Sequence, residues 1–401
     1  MPKILIVGAG PAGATLAYLL AHRGIDVTLL ERQSDFSREF RGEFLVPSGY
    51  LALEEMGLND AMAGVSRQIQ ESVSLYLNGN HVFTQELDPD TFEQSPFQAI
   101  SQPELLEAIV SEAGKSPRFR LERGASVKEL LFEGERVVGV RARTKAGEER
   151  LHADLVVGAD GRASIVRKQG GFTDRHVSPP LDVVWWKIPC PDDWIGPSVF
   201  MGRGHFMLLY KNWEGKLQIA WIITKGSFRQ LKNRSLHDWT EEMANHVSPE
   251  LASHLRACEG ELDKPFLLDA VSDCVESWSI PGALLIGDAA HTMSPVGGQG
   301  INIALRDTVV AANHLVPALL SEDTAILDAA LRAIENERAP EVNHIQRLQA
   351  FPPKIGFSSA WWSEIVRRLL AKIVARPGVR LKMASRLSAM PFGVTDVHLE
   401  V

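Results

Sequence analysis

Cysteine is scarce in this chain: three residues in 401, Cys190, Cys258 and Cys274. The odd count excludes a fully paired disulfide framework, and the wide gaps give no spacing suited to a metal. Both predict a reduced, cytoplasmic setting. Excess positive charge is also missing: the formal net charge is −8, and the overall field disfavours nucleic acid and other polyanions. No window of about 18 uninterrupted apolar residues occurs, so no transmembrane span is expected. Internal repeats and low-complexity tracts are absent. The apolar stretch from Lys3 to Ala21 is cut by glycines at 8, 10 and 13, where a secretion signal stays continuous. What remains, 45% apolar and 23% charged residues, is ordinary for a folded protein, and the length suits two domains or one with a large insertion.

Those glycines carry the first positive signal. Ile4-Leu5-Ile6-Val7 is a short apolar run suited to a central parallel strand. Gly8-Ala9-Gly10-Pro11-Ala12-Gly13 follows at once, then helical periodicity from Ala14 to His22, a stop at Gly24, and a second strand Val27–Leu30 ending at Glu31. Strand, glycine turn, helix, strand and acid form the context a dinucleotide fingerprint requires. Gly8 permits the tight turn, Gly10 lets backbone approach a pyrophosphate, and Gly13 lets helix and strand pack closely. The helix start offers free N–H groups and partial positive charge to phosphates. Glu31 lies 18 residues after Gly13, where an acid meets ribose hydroxyls. Its charge disfavours a 2′-phosphate, so the site suits FAD or NAD and not NADP.

Two later segments share this logic. Val137–Thr144 and Glu149–Ala153 read as a hairpin around Gly147. The strand Leu155-Val156-Val157 then leads into Gly158-Ala159-Asp160-Gly161-Arg162-Ala163-Ser164, with Ser164 placed to cap a helix. Ala283–Ile286 is a further strand, delivering Gly287-Asp288-Ala289-Ala290-His291 at its C-terminal end, where ligands sit in open α/β sheets. After a loop through Ser294–Gly298, Gly300-Ile301-Asn302 opens a long helix to about Leu320. Such a start aims unpaired N–H groups at an anionic partner, for which the pyrimidine edge of a reduced flavin is the expected match.

With these three motifs in this order, and Pro295 and Gly300-x-Asn302 downstream of the third, the chain resembles the class A flavoprotein monooxygenases. These are single-component, FAD-dependent aromatic hydroxylases of the para-hydroxybenzoate hydroxylase type. The motifs cover roughly half the chain. The resemblance implies an α/β fold: a glutathione-reductase-like Rossmann FAD domain (1–72, 98–175 and 270–340), an inserted antiparallel-sheet substrate domain (73–97 and 176–269), and a C-terminal helical segment (341–401). It implies FAD contacts from Gly8, Gly10, Pro11, Ala12 and Gly13, from Glu31 and Arg32 at the AMP half, and from Arg41 (followed by Gly42) and Gln102 at the phosphate and ribityl region. Val127 and Asp160 join the cofactor contacts, and Asp288 meets the ribityl and pyrophosphate. Pro295 and the backbone of Gly298, Gly300, Ile301 and Asn302 would flank the isoalloxazine. The implied reaction is NAD(P)H- and O₂-dependent hydroxylation of an aromatic or polycyclic small molecule through a flavin C4a-hydroperoxide. No second glycine fingerprint and no redox cysteine pair exist, which excludes a disulfide-reductase arrangement and fits an NADH or NADPH that binds transiently. Trp185-Trp186-Lys187-Ile188-Pro189 lacks the spacing of the flavin halogenase signature.

Between 176 and 269, strand-like runs at Asp182–Lys187, His205–Tyr210 and Lys216–Thr224 predict an antiparallel sheet over the flavin, with residues 73–97 adding a strand or two. Trp185, Met207, Trp221 and Pro295 are the candidate substrate-pocket residues, since aromatic walls suit a flat apolar ligand. Trp also packs ordinary cores, and a lone strand histidine such as His205 is ordinarily structural, so no catalytic residue is assigned. From Trp361 to Ala375 helical periodicity places Ile365, Leu369 and Ile373 on one face and Arg368, Lys372 and Arg376 on another. This basic helix suits a membrane surface, but packing on its own domain is the expected outcome. Phe351-Pro352-Pro353 upstream has the composition of a loop able to reach the flavin. Two alternatives keep the fold without the oxygen chemistry: a flavin reductase or dehydrogenase of a prenyl or polyene substrate, and a non-catalytic flavin-binding protein.

Overall fold

The computed structural model describes residues 2–37, 44–87, 96–176, 181–202, 204–231, 233–350 and 389–401, with isolated positions between 365 and 379. Arg41, Gly42, Phe351–Pro353, Trp361 and Arg368 lie outside them. A six-stranded sheet runs, in spatial order, Ser279–Ile280, Ala283–Leu285, Leu155–Gly158, Lys3–Val7, Asp26–Glu31, Phe119–Arg123. All pairs are parallel except the edge pair Ser279–Ile280 and Ala283–Leu285. The inner strands are apolar along their length because both faces are covered: Ile4, Leu5, Ile6, Val156 and Val157 are buried. From Lys3–Val7 the chain steps to Asp26–Glu31 on one side and later returns as Leu155–Gly158 on the other. That reversal opens a crevice at the C-terminal ends of the strands.

The fingerprint helix Pro11–His22 packs on this sheet beside Gln102–Ala113 and the long helix Gln299–Leu320, linked to the latter by a 3.1 Å hydrogen bond between Thr15 and Thr308. The stretch Val296–Leu320 is, among the described residues, the one helix long and apolar enough to cross a membrane, yet 78% of its apolar window is buried in the core. The expected hairpin is present as Arg136–Thr144 and Gly147–His152, joined by a third strand, Ser126–Glu133.

The second large sheet has seven strands, in the order Phe266–Leu268, Leu181–Pro189, Lys216–Thr224, His205–Lys211, Ser198–Gly202, Ser72–Leu77, Asn80–Glu86. Residues opposite one another across the ladder share a face. Register therefore defines one row running Phe266, Trp185, Ala220, Leu208, Val199, Leu75, Phe83. A second row on the same face runs Leu268, Val183, Ile222, Phe206, Met201, Leu77. This face meets Phe44 and Ala99 of the first unit.

The opposite face carries Val184, Trp186, Met207 and Trp221 against two helices, Leu236–Ala244 and Pro249–Ala257, which supply Trp239, Met243, Leu251 and Leu255. Met207 and Trp221 are thus corrected as pocket residues. Strand alternation turns them away from Trp185 and into a helix-covered core. His205, on that same side, stacks on His246 with ring centroids 3.6 Å apart.

The helix Thr324–Gln349 corrects the boundary expected at residue 340. Pro340 sits inside it, and the chain stays helical there because Arg338 and Glu341, on either side, are anchored in buried ion pairs. The helical positions Ile365, Leu369 and Ile373 are exposed, so the apolar face expected to pack on the protein is open at those three positions.

Candidate functional site

Val7, Gly158 and Leu285 lie side by side in register, so all three motifs leave the sheet at one edge. The exits are tied together: Gly8 N–H donates to Leu30 (2.8 Å), Ala159 N–H to Val7 (2.8 Å), and Ile286 N–H to Gly158 (3.0 Å). Glycine is required twice here. A Cβ at Gly8 would lie 2.5 Å from the Ala159 carbonyl oxygen, and one at Gly13 would lie 1.9 Å from that of Gly8. At Gly10 a Cβ would meet nothing within 4 Å, so this glycine faces open space. Gly10 is also the N-cap of the fingerprint helix and Pro11 its first residue, and no side chain caps it. The N–H groups of Ala12 and Gly13 therefore face the same opening.

Glu31 ends the second strand almost fully buried. One carboxylate oxygen accepts the N–H of Ala9 (2.9 Å) and the other that of Gln33 (3.0 Å), which binds the acid to the glycine loop. Arg32 is exposed. Val127 follows Ala125, whose N–H donates to the Glu31 carbonyl (2.9 Å). Asp160 accepts from the Ser164 hydroxyl (2.5 Å) and the Ile165 N–H (2.6 Å), so its carboxylate shapes its own loop and caps the short helix Ile165–Gln169. Burial pushes its pKa above the usual carboxylate value against those hydrogen bonds. Asp288 is half-exposed and pairs with Arg162 of the preceding motif at 3.4 Å. Arg162 also donates to the Asp269 carbonyl (3.0 Å).

At the start of the long helix, Gly298 is the N-cap and again no side chain caps it. The fully buried Asn302 carboxamide donates to the carbonyls of Phe44 (3.1 Å) and Gly298 (2.8 Å) and accepts from Val46 N–H (2.9 Å). Its side chain is a clamp between two loops, leaving the backbone of Gly300 and Ile301 at the helix mouth beside half-buried Pro295. Gln102, half-buried, begins its helix directly after the strand Gln98–Ile100.

That strand also holds a residue that no local pattern marks. Gln98 is fully buried opposite Leu45 and Ile69, and neither end of its amide has a hydrogen-bond partner. A buried amide without partners is costly unless something else binds it. Apart from this amide, which is sealed from any opening, two uncapped helix starts and the open space over Gly10 together fit an anionic cofactor of dinucleotide size.

Behind the Gly287–Ser294 loop lies a second missed feature. Asp307 accepts from Gly287 N–H (3.2 Å), His291 (2.7 Å) and Arg338 (2.9 Å); Arg338 also pairs with Glu341, which binds Arg306 (2.8 Å). Burial alone would raise the pKa of Asp307, but the charge and hydrogen bonds of His291 and Arg338 hold it below the ordinary carboxylate value. Glu341 is depressed likewise, burial being outweighed by Arg338 and Arg306. A parallel pair, Arg167 and Asp273 (2.9 Å), holds the loop's other end, because Asp273 accepts the Thr292 N–H (3.1 Å).

Phe44 joins this edge to the apolar sheet face. A Cβ on Gly298 would lie 2.9 Å from the Phe44 Cβ, while the Phe44 ring contacts Tyr210 (4.3 Å between centroids) and Phe97 (4.9 Å). Trp185 stands edge-on to Tyr210.

Residues 1–347 match the family model described as "FAD binding domain". The chain is 31% identical over 374 residues to 6-methylpretetramide 4-monooxygenase of Streptomyces rimosus, covering 93% of this chain and 88% of that one. It is 27% identical to squalene epoxidase 3 of Arabidopsis thaliana, covering 89% of this chain and 68% of that one. In fold it matches p-nitrophenol 4-monooxygenase PnpA from Pseudomonas putida (TM-score 0.78, 17% identity, 99% and 100% coverage). PqsL of P. aeruginosa in complex with 2-aminobenzoylacetate matches similarly (TM-score 0.77, 19% identity, 91% and 99% coverage). Convergence of the three motifs on one sheet edge, with a family match spanning most of the chain, makes this protein a member of the FAD binding domain family and an NAD(P)H-using, FAD-dependent monooxygenase of class A.

Proposed function

We propose that the protein hydroxylates an aromatic or polycyclic small molecule, with FAD held along the shared sheet edge and substrate held beside Phe44, on the half-buried outer part of the seven-stranded sheet's face. The observation that carries this reading is Phe44 itself, packed on Gly298 at one side and on Tyr210 at the other. In this assignment Gly8, Gly10, Pro11, Ala12 and Gly13 receive the pyrophosphate, Glu31, Arg32 and Val127 lie along the AMP half, and Arg41, Gln102 and Asp288 take the central part. Asp160 acts through the loop it caps. Pro295, Gly298, Gly300, Ile301 and Asn302 border the ring, the last through its clamp on Phe44. Residues 1–72, 98–175 and 270–349 would form the FAD unit, and 73–97 with 176–269 the substrate unit.

Bound FAD supplies the redox chemistry, taking a hydride from NADH or NADPH and activating O₂. The chain's own residues bind, orient and exclude water. The Gly298 helix start would offer its N–H groups to the negative charge of a reduced ring, and Phe44, backed by Trp185 and Tyr210, would help keep water from the reacting edge. The relatives support a large substrate, one acting by name on a pretetramide and others on squalene.

The test is ¹⁸O₂ labelling during substrate-stimulated NAD(P)H oxidation by the purified flavoprotein. One labelled oxygen in the product is expected. An unlabelled product formed equally well without O₂ would instead identify a reductase or dehydrogenase. Asp288→Ala should emerge without retained FAD, and a fully loaded variant would mean that the site is misplaced.

A further inference from the structure

We infer that the site selects a neutral, extended polycyclic substrate and discriminates against carboxylates, with the Trp185 and Val183 rows of the seven-stranded sheet as the recognising surface. This rests on the monooxygenase reading for its reacting end. The two rows hold no charged side chain at any position. On that face of the Leu181–Pro189 strand the nearest charge is Lys187, further along the strand and already paired with Glu214 at 3.1 Å. A carboxylate brought onto this surface would lose its water and find no cation among the described residues of the two rows, a strongly unfavourable exchange. A neutral ring system would gain from every apolar surface it covers.

Length follows from the same rows. Trp185, Val183, Ala220 and Ile222 are buried where Phe44 and Ala99 cover them, but Leu208, Phe206, Val199, Met201, Leu75 and Leu77 are only half-buried. The apolar surface thus continues outward from the Phe44 edge across further strands. Four strand spacings separate Trp185 from Leu75, about 19 Å at roughly 4.8 Å each. A single ring would leave most of that surface unused, whereas several fused rings reaching out from Phe44 would cover it.

The test is equilibrium titration of the FAD-loaded protein, followed by ligand fluorescence, with 1-hydroxypyrene, 1-pyrenecarboxylate and 4-hydroxybenzoate. The expected result is that 1-hydroxypyrene binds at least about tenfold more tightly than either carboxylate. Leu208→Arg, and independently the more outlying Met201→Arg, should reduce or reverse that preference while FAD stays bound. Equal or tighter binding of a carboxylate by the unmodified protein overturns the inference. So does failure of the neutral compound to bind, which would mean that the chain itself covers the face. NAD(P)H oxidation and ¹⁸O₂ incorporation are measured separately. A neutral preference without them supports this inference and counts against the monooxygenase reading alone.

Discussion

Asn302 holds Phe44 in place. Its amide nitrogen donates to the Phe44 carbonyl at 3.1 Å, its oxygen accepts from Val46, and a second N–H closes onto Gly298. One buried side chain therefore fixes the loop that faces the sheet relative to the helix start that faces the flavin. Asn302→Ala removes a partner from two buried backbone groups, at Phe44 and Val46, each worth about 1–3 kcal/mol if water cannot reach it, and from the part-buried Gly298 carbonyl. Lower stability to urea and FAD affinity weakened about tenfold or more are expected. Unchanged FAD affinity would show that the clamp does not shape the cofactor site.

The glycines of the first motif should separate folding from binding. Gly13→Ala places a methyl group 1.9 Å from a backbone oxygen, so the variant should fail to fold or lose much of its stability. Gly10→Ala meets no protein atom within 4 Å and has a φ of −72°, which alanine adopts freely. The expected outcome is an apoprotein as stable as the parent with FAD affinity reduced at least about tenfold. Thermal melts of the stripped protein, paired with FAD titrations, check both halves. Gly10→Ala that binds FAD normally would place the pyrophosphate elsewhere.

The motifs were legible because each is local: a strand, a glycine turn and a helix start within a few residues, where a Cβ clash or an uncapped N–H determines the residue type. Strand periodicity likewise gave the runs at 182–187, 205–210 and 216–224. What the sequence hid depends on faces and distances. Trp185 and Trp221 are alike in isolation, and only register puts them on opposite sides of the sheet. The helices Leu236–Ala244 and Pro249–Ala257 did leave a trace, since Ser235 with Asp238 is a capping box and Ser248-Pro249-Glu250 is a helix start. Nothing local marks Gln98, whose meaning lies in the partners it lacks.

Acid should expose the buried charges behind the Gly287 loop. Asp307, Glu341 and Asp273 all have folded pKa values held below their ordinary ones of 3.8, 4.5 and 3.8. For a depressed carboxylate the stabilisation is complete above the unfolded pKa and is lost as pH falls through the folded one. Stability should therefore be flat in this respect near neutrality and decline steeply below about pH 4. Arg338→Met strips a partner from both Asp307 and Glu341 and should cost about 3–5 kcal/mol at pH 7. The gap between parent and variant should narrow as pH drops below 4, because the protonated acids no longer need the guanidinium. Urea titrations at pH 7 and pH 3 measure it, and an equal gap at both would rule out this account.

Trp185 and Trp221 lie on opposite faces of the seven-stranded sheet. Trp221 lies between Trp186 (6.2 Å) and Trp239 (5.7 Å), the latter carried by a covering helix, so its ring serves the fold. Trp185 stands 6.4 Å from Tyr210, which touches Phe44, so its ring faces the reaction edge. Both are buried, and truncating either removes a large core side chain at about 3–5 kcal/mol. Stability alone therefore cannot distinguish them, but ligand affinity of the folded fraction can. Trp221→Leu should bind 1-hydroxypyrene as the parent does, whereas Trp185→Leu should bind it about tenfold more weakly at similar FAD content. The reverse pattern would put the substrate on the helix-covered side. Alternation along a single strand, one residue in register, is then what divides a structural tryptophan from one that meets substrate.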